Sequence, residues 1–399
     1  MTTTLDKKAL TPAETGVAQA LYIHWPFCLA KCPYCDFNSH VRDHVDHDAW
    51  EAALLADMRH EAALAGGEPL RSIFFGGGTP SLMPPAMVET LLNEAEQLWG
   101  FADNIEITLE ANPSSVEAAN FAALAQAGIN RVSLGLQALN NEDLRFLGRL
   151  HDAEEGIAAL GVAQQHFSRV SFDLIYARPD QSPAAWEDEL RRAIDFGTGH
   201  LSLYQLTIEA GTRFASDVRL KRFMPLDDDP AADLFTMTRE ITAAAGLPAY
   251  EISNHARPGE ESRHNLTYWR YLDYCGIGPG AHGRRSSAAT QRHKKPENWL
   301  EAVTRNGHGI KQELDLTPST QVSEALLMGL RLDEGIDLAA MSRRFNIPSS
   351  QLIDRKNADF YANMGLLREE DSRLIVTDRG MPLLDALLGE IVPAALVES

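Results

Sequence analysis

The sequence is short of cysteine, of positive charge and of long apolar runs, and each shortage excludes something. Four cysteines are spread through 399 residues, and the opening MTTTLDKKALTPAETGVAQA has no apolar core of an export signal. A disulfide framework is therefore not expected, because a reducing cytosol keeps thiols free. Lys and Arg total 36 against 56 Asp and Glu, a formal charge of −20. A protein that grips nucleic acid by its phosphates needs the opposite balance. No stretch approaches the roughly 18 uninterrupted apolar residues that suggest a membrane-crossing helix. The expectation is a cytoplasmic protein without a nucleic-acid partner.

What is present is an ordinary globular composition, 44% hydrophobic and 23% charged, in a chain long enough for two or three domains. After a tail at 1–18, read as flexible, short β-rich runs alternate with longer amphipathic ones. ALYIHW, RSIFFGG, NIEITLE, INRVSLG, RVSFDLIY and HLSLYQLTI read as strands. Between them DAWEAALLADMRHEAALA, PPAMVETLLNEAEQLW, SVEAANFAALAQAG, EEGIAALGVAQQHF and SPAAWEDELRRAIDFG read as helices. This is the βα alternation of a parallel sheet, either doubly wound or an incomplete eight-stranded barrel.

Polar residues collect at the C-terminal ends of these strands, where parallel α/β folds place their active sites: the cysteine loop, GGGTPS, Glu110, Gln137, Asp173, and Gln205 with Glu209. A core with its extension is expected at 19–315. From 316 to 399 two helical runs, TQVSEALLMGLRL and SSQLIDRKNADFYANMG, precede a β-hairpin and a helix, the pattern of a small winged-helix-like α+β domain.

Three of the four cysteines, Cys28, Cys32 and Cys35, fall within eight residues in CLAKCPYCDFNSH. A four-iron cluster is usually held by four thiolates, so three leave one iron free for something other than protein. A structural zinc site would need a fourth ligand from His24, His40 or the distant Cys275. Cys275 taken alone reads as a small buried hydrophobe.

Cys-x3-Cys-x2-Cys on the loop after the first strand resembles the signature of radical S-adenosylmethionine proteins. The resemblance extends through LYIHWPFC, GGGTPS, LEANP, SLGLQALN, LGRLH and FDLIYARP. These runs resemble the oxygen-independent coproporphyrinogen III dehydrogenases of the HemN type and their relatives, the HemW heme chaperones. The implied fold is an open (β/α)6 partial TIM barrel with a HemN-like C-terminal domain.

The resemblance also implies a [4Fe-4S] cluster on Cys28, Cys32 and Cys35. It implies S-adenosylmethionine against Tyr22, Gly77, Gly78, Thr79, Glu110, Gln137, Arg149 and Asp173, with no catalytic side chain assigned. Where the dehydrogenases carry a further cysteine, this chain has Phe37, and RHNLTYWRYLDY contains the His-Asn-x-x-Tyr-Trp motif of the HemW type. His264, Tyr268 and Trp269 are thereby implied in binding heme, with His255 and His282 as other candidate ligands nearby. The implied role is heme delivery to acceptor hemoproteins such as respiratory enzymes, with porphyrinogen oxidation as the alternative. Further implied partners are an electron donor for the cluster and a second copy of the chain, and peripheral membrane contact is left open.

Overall fold

The computed structural model describes residues 19–66 and 68–397. The expected tail at 1–18 lies outside the described residues.

The chain begins with β1 (Ala20–Trp25), the two-residue pair β2 (Phe27–Cys28) and β3 (His40–Val41), and α1 (His47–Leu64). β4 (Leu70–Gly77) leads to α2 (Pro85–Trp99), and β5 (Phe101–Ala111) to the short helices α3 (Ser115–Ala118) and α4 (Phe121–Gln126). β6 (Arg131–Gln137) is followed by α5 (Asn141–Phe146) and α6 (Ala153–His166), then β7 (Arg169–Tyr176), α7 (Pro183–Asp195) and β8 (His200–Gln205). All six strands read from the sequence are present. The run SVEAANFAALAQAG forms two helices rather than one: the Glu117 carboxylate turns inward to accept from Ser81 Oγ and from Asn112 N, and the chain tightens after it.

Strand order decides between the two candidate architectures. β1, β4, β5, β6, β7 and β8 are neighbours in chain order and all parallel, each new strand being added on the same side. A doubly wound sheet would reverse that direction once; a barrel does not. The sheet stays open, with extra strands at both edges. After α8 (Arg213–Arg219) and α9 (Asp228–Ala244), β9 (Asn254–Ala256) pairs antiparallel with β8. Beyond α10 (Arg263–Trp269), β10 (Tyr274–Ile277) lies parallel to β1. β11 (His282–Arg285), β12 (Ala288–Arg292) and, after α11 (Pro296–Asn306), β13 (Ile310–Asp315) continue that edge.

The two faces of the curved sheet differ in chemistry. Leu21, Ile23, Ile73, Phe75, Ile107, Leu109, Val132, Leu134, Phe172, Leu174, Leu201 and Leu203 point outward into the main core with α1, α2, α6 and α7. The alternate positions form the inner face and are mostly polar: Ser72, Glu106, Glu110, Ser133, Ser171, Asp173, His200 and Ser202. Parallel strands are usually apolar on both faces. Here burial on one face stabilises the fold, and the other is free for ligand chemistry.

The remaining chain builds a second core from α12 (Pro318–Gly329), β14 (Ile336–Asp337), α13 (Leu338–Phe345), α14 (Ser349–Leu352), α15 (Arg355–Asn363), β15 (Leu367–Glu370), β16 (Arg373–Val376) and α16 (Leu384–Ile391). The run SSQLIDRKNADFYANMG is divided because Ile353 takes an extended conformation into this core. Asp354 then caps α15 by accepting from Asn357 N. The module docks on the end of α10. Arg270 forks onto Glu334 with two contacts of 2.9 Å, and Tyr271 donates to Glu324 at 2.5 Å. Arg344 donates to the Tyr271 carbonyl at 2.6 Å.

No helix among the described residues is long and apolar enough to cross a membrane.

Candidate metal and cofactor site

The cysteine loop lies where β1 ends, and its first thiol sits on the short β2–β3 pair. All three thiols are half-buried, and each has its own neighbour. Thr79 Oγ1 donates to Cys28 Sγ at 3.4 Å, Arg149 Nη1 donates to Cys32 Sγ at 3.3 Å, and Ser39 Oγ lies 3.8 Å from Cys35 Sγ. Burial raises the Cys28 and Cys35 thiols above the ordinary range.

Among the described residues, no three His, Cys, Asp or Glu side chains converge on a point that would hold a single ion. Three cysteines on one loop suit a cube, in which each thiolate binds a different iron. The alternative zinc ligands are committed elsewhere. His24 Nε2 bonds the Asn38 carbonyl at 2.9 Å, His40 Nε2 lies 3.2 Å from Asn38 Oδ1, and Cys275 is fully buried in β10. The donor set therefore fits an iron-sulfur cluster.

One cavity joins this loop to the C-terminal ends of the strands. Cys28, Cys32, Cys35, Gly77, Gly78, Thr79, Glu110, Gln137, Arg149 and Asp173 all line it. Tyr22 does not. Its ring lies deeper, 6.3 Å from Phe74 in a stacked pair, and its hydroxyl is 2.9 Å from His24 Nδ1. Gln205 and Glu209 also lie away from the cavity lining, Gln205 donating instead to the Ala231 carbonyl at 2.7 Å.

The backbone N–H groups of the glycine run are bonded within the fold. Gly77 N donates to Glu110 Oε2 at 3.2 Å, Gly78 N to the Trp25 carbonyl at 2.7 Å and Thr79 N to the Phe27 carbonyl at 2.8 Å. These N–H groups tie the strand ends together rather than reaching into the cavity. A Cβ on Gly78 would fall 2.6 Å from the Phe27 carbonyl oxygen, and one on Gly77, at φ +114°, 2.5 Å from the His24 ring. Glycine is needed there so that β4 can pass close beneath the cysteine loop.

Burial pushes Glu110 up to about 8, with Asp173 adding to the shift, and pushes Asp173 up to about 6. Ser133 Oγ donates to Asp173 at 3.1 Å. Gln137 closes β6 at φ +70°, a backbone conformation that non-glycine residues rarely take, and its Oε1 is buried without a partner. An unpaired acceptor in a polar cavity fits a ligand that donates hydrogen bonds, as the amino and hydroxyl groups of S-adenosylmethionine do. Arg149 Nη2 is held by Asn112 Oδ1 at 2.6 Å and the Gly135 carbonyl at 2.8 Å.

The sequence reading missed Asn112, Tyr34, Asn38 and Ser39 as parts of this site. All four stand inside the runs LEANP and CPYCDFNSH; Ser39 serves its near neighbour Cys35, but the roles of Asn112, Tyr34 and Asn38 depend on partners far away in sequence. Asn38 Nδ2 donates to the Pro279 and Lys294 carbonyls, bringing the Gly-rich run after β10 against the cysteine loop.

The His-Asn-x-x-Tyr-Trp motif folds as α10. His264 is 1% exposed, bonded at Nδ1 to Ser72 Oγ (3.0 Å) and at Nε2 to the Tyr268 hydroxyl (2.6 Å), and burial lowers its pKa to about 3. Glu106 accepts from the N–H groups of Arg263 and His264 at the start of the helix. Ser72 and Glu106 are register partners in β4 and β5, nearer the N-terminal ends of the strands. The structure therefore keeps His264, Tyr268 and Trp269 apart from the cysteine cavity, with Tyr22 and Phe74 between them. His255 is buried with Nδ1 2.8 Å from Thr242 Oγ1, whereas His282 is exposed on β11.

The sequence pattern of the Radical SAM superfamily matches residues 22–193, and that of the HemN C-terminal domain matches residues 316–383. The chain is 44% identical to the protein named heme chaperone HemW of Escherichia coli (strain K12), across 92% of this chain and 97% of that one. This chain belongs to the HemW family of radical S-adenosylmethionine proteins. The family extends to mitochondrial relatives: the mouse protein named radical S-adenosyl methionine domain-containing protein 1 is 37% identical, across 96% of this chain and 89% of its own. The coproporphyrinogen III oxidase HemN of Escherichia coli superposes with a TM-score of 0.79 across 95% of this chain and 91% of its own; at 23% identity this shows a shared fold. Membership of a radical S-adenosylmethionine family implies the four-iron cluster and its sulfonium cofactor, in agreement with the donor set of the cavity.

Proposed function

We propose that this HemW-family protein binds heme and hands it to acceptor hemoproteins such as respiratory enzymes. The observation that carries this reading is the 44% identity, over nearly the full length of both chains, to a relative named as a heme chaperone. Phe37, 61% exposed beside the cysteine loop where the dehydrogenases would have a thiol, supports it.

In this reading Cys28, Cys32 and Cys35 hold the cluster. Gly77, Gly78, Thr79, Glu110, Gln137, Arg149 and Asp173 surround S-adenosylmethionine, with Tyr22 beneath them. When bound, a reduced cluster can supply the electron that breaks a sulfur–carbon bond of that cofactor. The residues of the chain orient the groups: Arg149 fixes Cys32 and Asn112 at once, and Gln137 presents an acceptor.

Heme would be held at α10. His264 is kept neutral by burial, so it has a lone pair for iron throughout the physiological range. Its Nε2 becomes available once the Tyr268 hydroxyl moves away, and Trp269, the next residue and half-buried, offers flat apolar contact.

The test is a heme titration of anaerobically reconstituted protein. A Soret change that weakens in His264→Ala and persists in His282→Ala is expected, and no heme association at all would overturn the reading. Formation of protoporphyrinogen from coproporphyrinogen on the same sample, with S-adenosylmethionine and a reductant, would replace it by the dehydrogenase reading.

A further inference from the structure

Two of the three cysteine-loop thiols receive their hydrogen bonds through one side chain. Asn112 lines the cavity directly after β5, where its backbone N–H donates to Glu117 Oε2 at 2.8 Å. Glu117 is 2% exposed and also accepts from Ser81 Oγ, so a buried carboxylate anchors the residue from behind.

From that anchor the amide serves two branches. Its Nδ2 donates to Thr79 Oγ1 at 3.1 Å, and Thr79 Oγ1 donates to Cys28 Sγ at 3.4 Å. Its Oδ1 accepts from Arg149 Nη2 at 2.6 Å, and Arg149 Nη1 donates to Cys32 Sγ at 3.3 Å. Each link has one sense. A guanidinium only donates, so the amide turns its oxygen to Arg149 and its NH2 to Thr79. The threonine hydroxyl has a single proton; with a lone pair taken by Asn112, that proton is directed at sulfur. Cys35 lies outside this network and has Ser39 Oγ at 3.8 Å instead.

We propose that Asn112 is a positioning residue that aims donors at Cys28 and Cys32 together, and so couples these two thiolates in setting the reduction potential of the cluster. The inference rests on the reading of the cysteine loop as the cluster loop. Asn112 bonds neither sulfur; it holds in register the groups that do, as outer partners of metal ligands do generally. Donors to ligating sulfur favour the reduced, more negative cluster, so losing their aim makes reduction harder. Arg149 keeps the Gly135 carbonyl as a second anchor at 2.8 Å, and the larger part of the change is therefore expected at Cys28.

Asn112→Leu keeps the size of the side chain and removes both polar ends without adding charge. In the anaerobically reconstituted full chain it should make the cluster about tenfold harder to reduce, about 59 mV for one electron, in a redox titration followed by electron paramagnetic resonance. Thr79→Val should shift the potential less in the Asn112→Leu background than in the unaltered one, because the hydroxyl has already lost its aim. Ser39→Ala should shift it equally in both. Equal potentials for Asn112→Leu and the unaltered protein, or a Thr79→Val shift of one size in both backgrounds, would overturn the proposal. If Asn112→Leu does not keep its iron, Thr79→Val and Arg149→Gln are combined instead: a joint shift smaller than the sum supports the coupling, and shifts that simply add overturn it. An unaltered chain that takes up no iron and sulfide in reconstitution would overturn the cluster reading, and this inference with it.

Discussion

The hydroxyl of Tyr268 lies 2.6 Å from Nε2 of His264, one turn earlier on the same helix. With Ser72 Oγ on the other ring nitrogen, the imidazole is fully partnered inside the fold. Iron can therefore gain His264 Nε2 only at the expense of the Tyr268 bond. Tyr268→Phe removes the hydroxyl and keeps the ring, so heme affinity should rise, by about fivefold if the lost bond is worth roughly 1 kcal/mol. Titration of the variant and the unaltered protein side by side measures this. A fall as large as that of His264→Ala would mean that the hydroxyl itself contacts heme.

Glu110 gives a pH dependence of definite sign. Its folded value of about 8 lies above the ordinary 4.5, so between those limits the folded chain holds a proton that the unfolded chain has lost. Stability should fall as pH rises through this window, and the whole cost is present above about 8. Glu110→Gln cannot ionise. In the ligand-free protein it should gain on the order of 1–3 kcal/mol over the unaltered chain at pH 8.5, and nothing near pH 4.5. Urea denaturation at the two pH values measures the difference; an equal effect at both would show that the carboxyl does not titrate in this window.

Arg149 reaches three acceptors from one guanidinium: Cys32 Sγ, Asn112 Oδ1 and the Gly135 carbonyl. A charged donor to a ligating sulfur favours the more negative, reduced form of a cluster. Arg149→Gln should make the reduction potential more negative while iron content is retained. A redox titration followed by electron paramagnetic resonance checks both, and an unchanged potential would mean that the guanidinium does not influence the cluster.

Asp57 is a fully buried junction in the edge extension of the sheet. It accepts from Arg292 at 2.7 and 3.2 Å, from Trp299 Nε1 at 3.2 Å, and from the N–H groups of Gly278 and Gly309. Asp57→Ala leaves the buried Arg292 guanidinium with Glu61 as its remaining carboxylate and unpairs Trp299 Nε1 and two buried backbone N–H groups, at a cost of about 3–5 kcal/mol. Chemical denaturation should show this. Gly278 begins the turn whose Pro279 carbonyl holds Asn38, so the variant should also lose iron faster to a chelator.

Tyr271 joins the C-terminal module to α10, with the Arg284 guanidinium 3.5 Å and the Arg344 guanidinium 5.5 Å from its ring centroid. Tyr271→Phe loses the bond to Glu324 and should cost about 1 kcal/mol. Tyr271→Ala also loses the ring between two cations and should cost roughly 3 kcal/mol or more. Thermal unfolding should show the larger loss as an earlier transition of the C-terminal module.

The sequence by itself determined the parts whose signals are local. Alternation in RVSFDLIY and HLSLYQ, helical spacing between such runs, and three thiols on one loop are properties of neighbouring residues, and the fold kept them. Polar residues at strand ends also marked most of the cavity lining, because a parallel sheet brings all those ends to one side. Tertiary structure alone decided which groups face one another. Strand order, not periodicity, chose the barrel over the doubly wound sheet; the close approach of the glycine run to His24 and Phe27, and the stacking of Tyr22 on Phe74, were likewise set by packing. His264 meets Ser72 from 192 positions away, and Asp57 meets Arg292 from 235. Such pairings arise because a buried polar group must find a partner wherever packing puts one, and no spacing along the chain encodes that distance.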